Sequence, residues 1–465
     1  MFRRQRWNMV ENHRGNSMNI PAIMDKTTEA QWEVFIQRSR RAEVQLRRTE
    51  REATIWQDNV GYGIRVIIPR SDGAGIGFAS CNSEREIENT ARKAHDLAKL
   101  NRSPYFQLPE KRKLPSASTI DRKILSSSER VANDYAETAN NLISAEKEIS
   151  LTYGKVRTYA VDNQILNNRG LSYKSSGTYV YVEMTFKVGS GTNPTEFWPS
   201  RYARRASDIA PDRLIPQWLD IARSSLKRHP AKTKETTVIF SPAIVCDAFV
   251  PTVGFHSSGE ALKLNLSQFK DGGKIGSDQL TVLDDGLYPY GLRTNPFDDE
   301  GQPQQRTTLI EKGIFRNRIY DRLHAETLHA KPTGNGIRTG FGVDLDERYS
   351  TVPANAHTNL SIKTGTKSLD SLIEEVKDGL IIYETAWLNP DQLSTRFGSE
   401  IRNAQEIRNG ELGEGVVGGT VTGSVLDLMQ NISGISDRAE IATGSSLGCV
   451  APYIRFDRVQ VSGPT

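Results

Sequence analysis

Cysteine is scarce in this chain: Cys81, Cys246 and Cys449 are the only three in 465 residues, scattered and odd in number. With no Cys-x-x-Cys pair, that usage suits a reducing compartment and argues against a disulfide framework. No run of about 18 apolar residues occurs, which removes a membrane-spanning helix. The basic start, MFRRQRWNMVENHRGNSMN, lacks the apolar core of a secretory signal, so the cytoplasm is the expected setting. Net charge is small as well. Sixty basic residues against 56 acidic ones give +4, a balance that does not call for a nucleic-acid partner. The local basic patches at Arg3–Arg14, Arg38–Arg51 and Arg201–Arg205 read as solvated faces.

The usual signatures of chemistry are missing too. Gly-x-Ser-x-Gly is absent, and no cysteine stands beside a candidate base. Of seven histidines, His324 and His329 are five apart and cannot share a helix face as ligands four apart do. His256 and Glu260 can share one, but no third ligand lies nearby. Gly413-Glu414-Gly415-Val416-Val417-Gly418 matches a dinucleotide fingerprint. It follows an Asn409-Gly410 turn and precedes β-prone residues, so its glycines read as strand bends and close backbone contacts.

What is present is length and specified turn geometry. A chain of 465 residues buries more than one core, and two or three domains are expected. Residues 1–28 read as a poorly ordered tail or an over-long start, 29–230 as an N-terminal α+β domain, and 231–465 as a β-rich C-terminal domain after the break at His229-Pro230. In the first domain Glu29–Gln37 is expected as helix. An antiparallel meander follows through Ala42–Leu46, Thr54–Trp56, Gly63–Ile68 and Gly75–Ala79, with a turn at Asp58-Asn59. Ser83-Glu84-Arg85-Glu86 reads as a capping box for a helix whose inner face is Ile87, Ala91, Ala94, Leu97 and Ala98. A second helix is expected from Ser126–Ser128 through Glu148, then strands from Lys155 to Val188, then a helix over Pro211–Arg228. The second domain has expected helices near Pro242–Phe249, Asp321–Leu328 and Ser368–Asp378. Its densest turn chemistry runs from Val282 to Gly336, with a hairpin predicted for Thr307–Ile310 and Ile314–Tyr320. The acidic pairs Asp284-Asp285 and Asp298-Asp299 stand at or near glycines and read as turn formers ahead of acid/base or Mg²⁺ roles.

Ser241-Pro242-Ala243, Leu280–Gly286, Asp298–Pro303 with Gln305-Arg306-Thr307, Leu309–Gly313, and Asp321-Arg322 through Lys331–Gly336 together resemble the TldD/PmbA family, described as DNA gyrase modulators and cytosolic metalloproteases. Gly63–Val66 and Gly75–Ala79 extend the likeness upstream. Phe397–Ile401, Arg408–Leu412 and Arg455–Val459 extend it downstream. The resemblance implies an α+β fold, with a mixed N-terminal domain and a mostly antiparallel, barrel-like C-terminal domain. It also implies zinc on a His-Glu-x-x-x-His helix plus a distant Cys in one kind of subunit, and their absence in the other.

Anchored on Ser241-Pro242-Ala243, the zinc helix falls on Val250–Phe255, with the ligand and base positions at Val250, Pro251 and Phe255. Counting back from Arg455-Phe456-Asp457, the cysteine ligand falls at Arg438. None of these can replace imidazole, carboxylate or thiolate. The glycine-rich run expected between Tyr383 and Thr395 is also missing. The implied reading is a PmbA-like, non-catalytic subunit with no cofactor of its own. Its partner would be a TldD-like subunit carrying zinc, the dimer would enclose a chamber for unfolded or small peptides, and Lys331, Pro332, Thr333, Gly334, Asn335 and Gly336 would contribute chamber or dimer contacts. Two alternatives stand beside it: a hydrolase with a relocated site using His256, Glu260 or His324, and a homodimeric peptide-binding module without a protease partner.

Overall fold

The computed structural model describes residues 19–464 apart from 49, 191–193, 341–343 and 443–446. The first half runs α1 (Ile20–Thr27), β1 (Gln31–Arg47), β2 (Glu50–Arg70), β3 (Gly73–Cys81), α2 (Ile87–Leu100), α3 (Arg122–Ser144), β4 (Ile149–Asn167), β5 (Ser172–Val188), β6 (Thr195–Phe197), β7 (Ser200–Ala203) and α4 (Pro211–Ser224). Its strands form one antiparallel sheet in the order β3-β2-β1-β4-β5-β6, with β7 also on β5. Helix α2 lies on β2 and β3, while α3 crosses β1, β4 and β5 and packs against α4.

Several local expectations are corrected here. Glu29–Gln37 is not helical: Gln31–Gln37 opens β1, because Trp32, Val34 and Ile36 alternate toward one core and Phe35 toward another. Asp58-Asn59 is no turn but mid-strand in β2, opposite Arg40 and Ser39. Ser83 makes no capping bond, and Glu84 instead accepts from the Tyr62 hydroxyl at 3.0 Å. Leu97, assigned to the inner face of α2, is exposed. Part of the supposed tail is ordered: Asn19 caps α1 through the Ala22 amide, and Met24 is fully buried against Trp32 and its neighbours. Residues 1–18 of that tail lie outside the described residues.

The second half runs β8 (Arg228–His229), β9 (Lys234–Phe240), α5 (Pro242–His256), α6 (Gly259–Lys263), β10 (Val282–Asp285), β11 (Arg306–Glu311), β12 (Ile314–Phe315), α7 (Arg322–Thr327), β13 (Gly336–Arg338), β14 (Pro353–Asn355), β15 (Leu360–Ile362), α8 (Leu369–Glu374), β16 (Asp378–Thr385), β17 (Arg396–Arg408), β18 (Glu411–Val416), β19 (Thr420–Ser424), α9 (Val425–Gln430), β20 (Ile432–Ala442) and β21 (Cys449–Ser462). Five strands close on themselves, β9-β16-β17-β19-β21 and back to β9, so the sheet is a barrel. The architecture is therefore α+β, an antiparallel sheet followed by a closed, mostly antiparallel barrel. The predicted hairpin forms as β11–β12, with Lys312 and Gly313 both at positive φ (47° and 73°), the geometry of a tight two-residue turn. Its second strand is two residues long, shorter than expected. In the glycine cluster, Gly415 lies in β18 where a Cβ would press on the Ser224 carbonyl, a close backbone approach and no nucleotide loop.

Helix α5 packs on this barrel and is apolar around its circumference, with 11 of its 15 residues buried. Cys246 within it is bonded to Cys449 at the start of β21, Cα atoms 5.9 Å apart. The expectation of unpaired cysteines is thus overturned, and with it the cysteine argument for a reducing compartment. A separation of 203 residues leaves no local spacing to betray such a pair. No described helix is long and apolar enough to cross a membrane.

The first sheet depends on close contact between β3 and α2. A Cβ at Gly77 would collide with the Ala94 carbonyl and the Ala98 amide, both backbone atoms. Gly77→Ala is expected to cost about 2–3 kcal/mol, read as a lower urea midpoint with unchanged slope.

Candidate functional site

Helix α5 begins directly after β9, with Ser241 bonded to the Tyr383 carbonyl at 2.9 Å, and ends at the positions where the family resemblance puts a metal. Val250 is buried there, and Pro251 and Phe255 are half-buried. Arg438 is exposed where β20 bulges between Ile435 and Ala439. Three of these side chains carry no lone pair to donate, and a guanidinium donates hydrogens only, so the residues do not fit zinc. Among the described residues no group of three His, Cys, Asp or Glu is placed to hold a metal ion.

The relocated-site residues are not gathered into such a group either. His256 is fully buried beside the Phe255 and Phe269 rings, and its Nδ1 accepts from the Gln268 amide at 3.2 Å. Burial pushes its pKa down to about 4, so it is neutral. Glu260 sits in the first turn of the five-residue α6. His324 lies in α7 with Nδ1 held by Asp321 at 2.7 Å, and its Cβ faces Gly259.

The stretch from Val282 to Gly336 turns inward more than its turn chemistry suggests. Asp284, Asp285, Asp298, Asp299 and Glu300 are all buried. Asp284 accepts from the Thr358 amide at 2.6 Å and from Asn335 at 2.7 Å. Asp298 takes the amides of Glu300, Gln302 and Gly336 at 3.0, 2.8 and 2.9 Å. These carboxylates brace main-chain amides across the loop. Of the six expected chamber or dimer contacts, Lys331 is exposed and Pro332 and Thr333 are half-buried. Gly334, Asn335 and Gly336 are buried within this chain, with Asn335 bonded to Asp284.

These loops meet the first sheet through an ionic network that the sequence reading did not contain. Glu33 and Arg65 stand directly opposite each other on β1 and β2. Glu33 accepts from Arg65 at 2.8 Å and from Arg338 at 3.0 Å, and Arg65 also reaches Glu300 at 2.9 Å. Burial opposes charge on Arg65, but the two carboxylates outweigh it and hold the guanidinium protonated. Burial raises Glu300 even so, and raises Asp298 further with Glu300 beside it. The available signal was a glutamate inside Trp32-Glu33-Val34-Phe35, where a strand buried on both faces leaves a charge no exit.

Beyond the network lies a cavity of about 60 Å³, walled in part by Tyr179, Arg204, Arg293, Asp299, Arg338 and Arg348. It adjoins α5: the His357 ring packs where a Cβ on Gly254 would stand, and Arg293 donates to the His357 carbonyl at 2.8 Å.

A closed barrel joined to an antiparallel β domain, with the buried helix α5 packed on the barrel, is the architecture of this chain. The chain belongs to the PmbA/TldD family: the PmbA/TldA metallopeptidase domain 1 matches residues 32–98 and the PmbA/TldA metallopeptidase C-terminal domain matches 233–463. A metalloprotease of Methanocaldococcus jannaschii is 24% identical over 83% of this chain and 85% of its own length. A metalloprotease TldD homolog of Buchnera aphidicola is 23% identical over 88% and 87%. The crystal structure of TldE from Thermococcus kodakarensis superposes with a TM-score of 0.85, at 22% identity, covering 96% of this chain and 99% of that one.

Two outcomes follow from the buried charges. Arg65→Met leaves Glu33 and Glu300 short of a counter-charge and is expected to cost about 3–5 kcal/mol in denaturant unfolding. His357 is pushed down to about 3 by burial and by Arg293, against about 6.5 when unfolded. The unfolded state therefore binds more protons below about pH 6.5, so this stability is full above that pH and is lost as pH falls toward the folded value. Between pH 7 and 5 the loss is about 1–2 kcal/mol from this group. His357→Gln is expected to flatten the pH dependence of the urea midpoint by that amount.

Proposed function

We propose that this chain is a PmbA-like, non-catalytic subunit. It pairs with a TldD-like subunit that carries zinc, and the two enclose a chamber for unfolded or small peptides. The observation that carries this reading is the side-chain chemistry at 250, 251, 255 and 438, where a chain with the whole family fold has Val, Pro, Phe and Arg.

Two surfaces support a partner or peptide role. Leu264, Leu266, Trp387 and Leu393 are exposed large apolar residues on the segments after α6 and between β16 and β17. Those segments are joined by a Gln268 bond to the Leu393 carbonyl, which gives an apolar rim beside the end of α5. On the other half, β3 pairs only with Tyr62–Arg70, so Glu50–Gly61 of β2 is an open strand edge among the described residues. An extended segment can add to such an edge through its main chain.

The test is to purify the chain alone and measure bound zinc and peptide hydrolysis, then repeat with a TldD-like subunit added. The expected result is substoichiometric zinc and no hydrolysis alone, with a stable complex and activity after mixing. Stoichiometric zinc together with hydrolysis by the lone chain overturns the proposal. Recovery of only this chain from native extract replaces it with a homodimeric peptide-binding module.

A further inference from the structure

The cavity beside α5 holds more positive charge than its own carboxylates answer. Arg348 gives one nitrogen, Nη2, to both oxygens of Asp299. Arg204 lies over the Tyr179 ring at 4.4 Å and donates only to carbonyls, those of Gly291, Leu292, Thr294 and Thr119, at 2.7, 3.0, 2.7 and 3.3 Å. Among the described residues Arg293 likewise donates to no carboxylate, only to the His357 carbonyl and Thr339 Oγ1 at 2.8 and 3.2 Å, with His357 Nε2 at 3.4 Å. Arg338 shares Glu33 with Arg65, and its buried Nε has no hydrogen-bond partner.

The remaining acids in the wall are already committed. Asp298 is saturated by three main-chain amides, and Asp344 faces Arg41 and Arg157 at 3.7 and 3.6 Å. Arg204, Arg293 and Arg348 sit close enough for Arg348 to lower the pKa of the other two, with burial the larger cause in each. Arg293 falls to about 10. Of the carboxylates near these three cations, Asp299 pairs with Arg348, while Asp284, which also acts on Arg293, is held by the Thr358 amide and Asn335. Water can solvate them but cannot neutralise them.

We propose that this cavity is a binding site for a small oxyanion, a carboxylate or a phosphate. Among the described residues, Nε and Nη1 of Arg348 and Nε of Arg293 make no hydrogen bond, which leaves the forked donors that such oxygens take up. At about 60 Å³ the cavity has room for about four water-sized groups, the size of acetate or of a terminal carboxylate. A bound anion would relieve the repulsion around Arg293 and join Arg204 and Arg348 through one ligand. The site does not depend on pairing with a zinc-bearing subunit.

The experiment is thermal unfolding of the full chain at fixed pH and ionic strength, titrated with acetate, phosphate, trialanine or trialanine amide. A saturable rise in Tm of a few degrees is expected with at least one oxyanion. It should vanish in Arg293→Gln and persist in Arg92→Gln, a surface change on α2. A rise with acetate or phosphate assigns the site to a free ion. A rise with trialanine alone, absent for the amide, assigns it to a peptide terminus. Should Arg293→Gln fail to fold, calorimetric titration of the unaltered chain with the same anions reads the site directly, with one site per chain expected. No saturable shift and no binding heat in the unaltered chain overturns the proposal, as does an equal shift in Arg293→Gln.

Discussion

Glu33 is the carboxylate on which the docking of the two halves turns. It has no exposed surface, one guanidinium reaches it from the neighbouring strand, and the other comes from β13 some 300 residues later in the chain. Taking a carboxylate out of water costs several kcal/mol, and the attraction of its partners offsets that only in good geometry. Arg65 is in the same position, since it needs Glu300 from the second half as well as Glu33. Neither half can bury these groups alone at low cost, so the network favours a single docked arrangement. This explains the turn chemistry between 282 and 336, which must deliver Glu300 and Arg338 to fixed points on the first sheet. Gly336 shows how tight the delivery is, because a Cβ there would run into the Glu300 side chain.

Much of the fold was legible because it rests on patterns that survive in one dimension. Alternation marked the strands, Gly-containing turns marked the hairpin, and Ile87, Ala91, Ala94 and Ala98 marked the inner face of α2. The errors share a cause. Glu29–Gln37 looks helical by composition, and only pairing with both β2 and β4 makes it a strand. Asp58-Asn59 carries turn residues, yet a 21-residue strand with partners along its length overrides them. The Cys246–Cys449 bond and the Glu33–Arg65–Glu300 network were invisible for the same reason. Each joins positions that only the tertiary fold brings together.

The site was legible in a different sense. The residue types at 250, 251, 255 and 438 can be read from sequence, but their surroundings cannot. The carboxylates at 284, 285, 298 and 299 were read as turn formers, and they are also buried, bracing main-chain amides. Local spacing reports that a turn needs an Asp, but it does not report which way the turn faces. The arginines of the cavity were missed on similar grounds, since 204, 293, 338 and 348 fall in four separate segments.

The side chains present in α5 are consistent with its burial. The helix has 11 of its 15 residues buried, so an imidazole or carboxylate at the buried position 250 would need a hydrogen-bond partner or counter-charge. Without one, each polar group would carry its full desolvation penalty, of about 1–3 kcal/mol or more for a charge. Val, Pro and Phe remove that penalty and keep the helix packed. The bond between Cys246 in α5 and Cys449 in β21 ties the helix to the C-terminal strands covalently. The disulfide therefore fixes α5, and the neighbouring cavity, with His357 packed between Gly254 and Arg293, keeps a fixed wall.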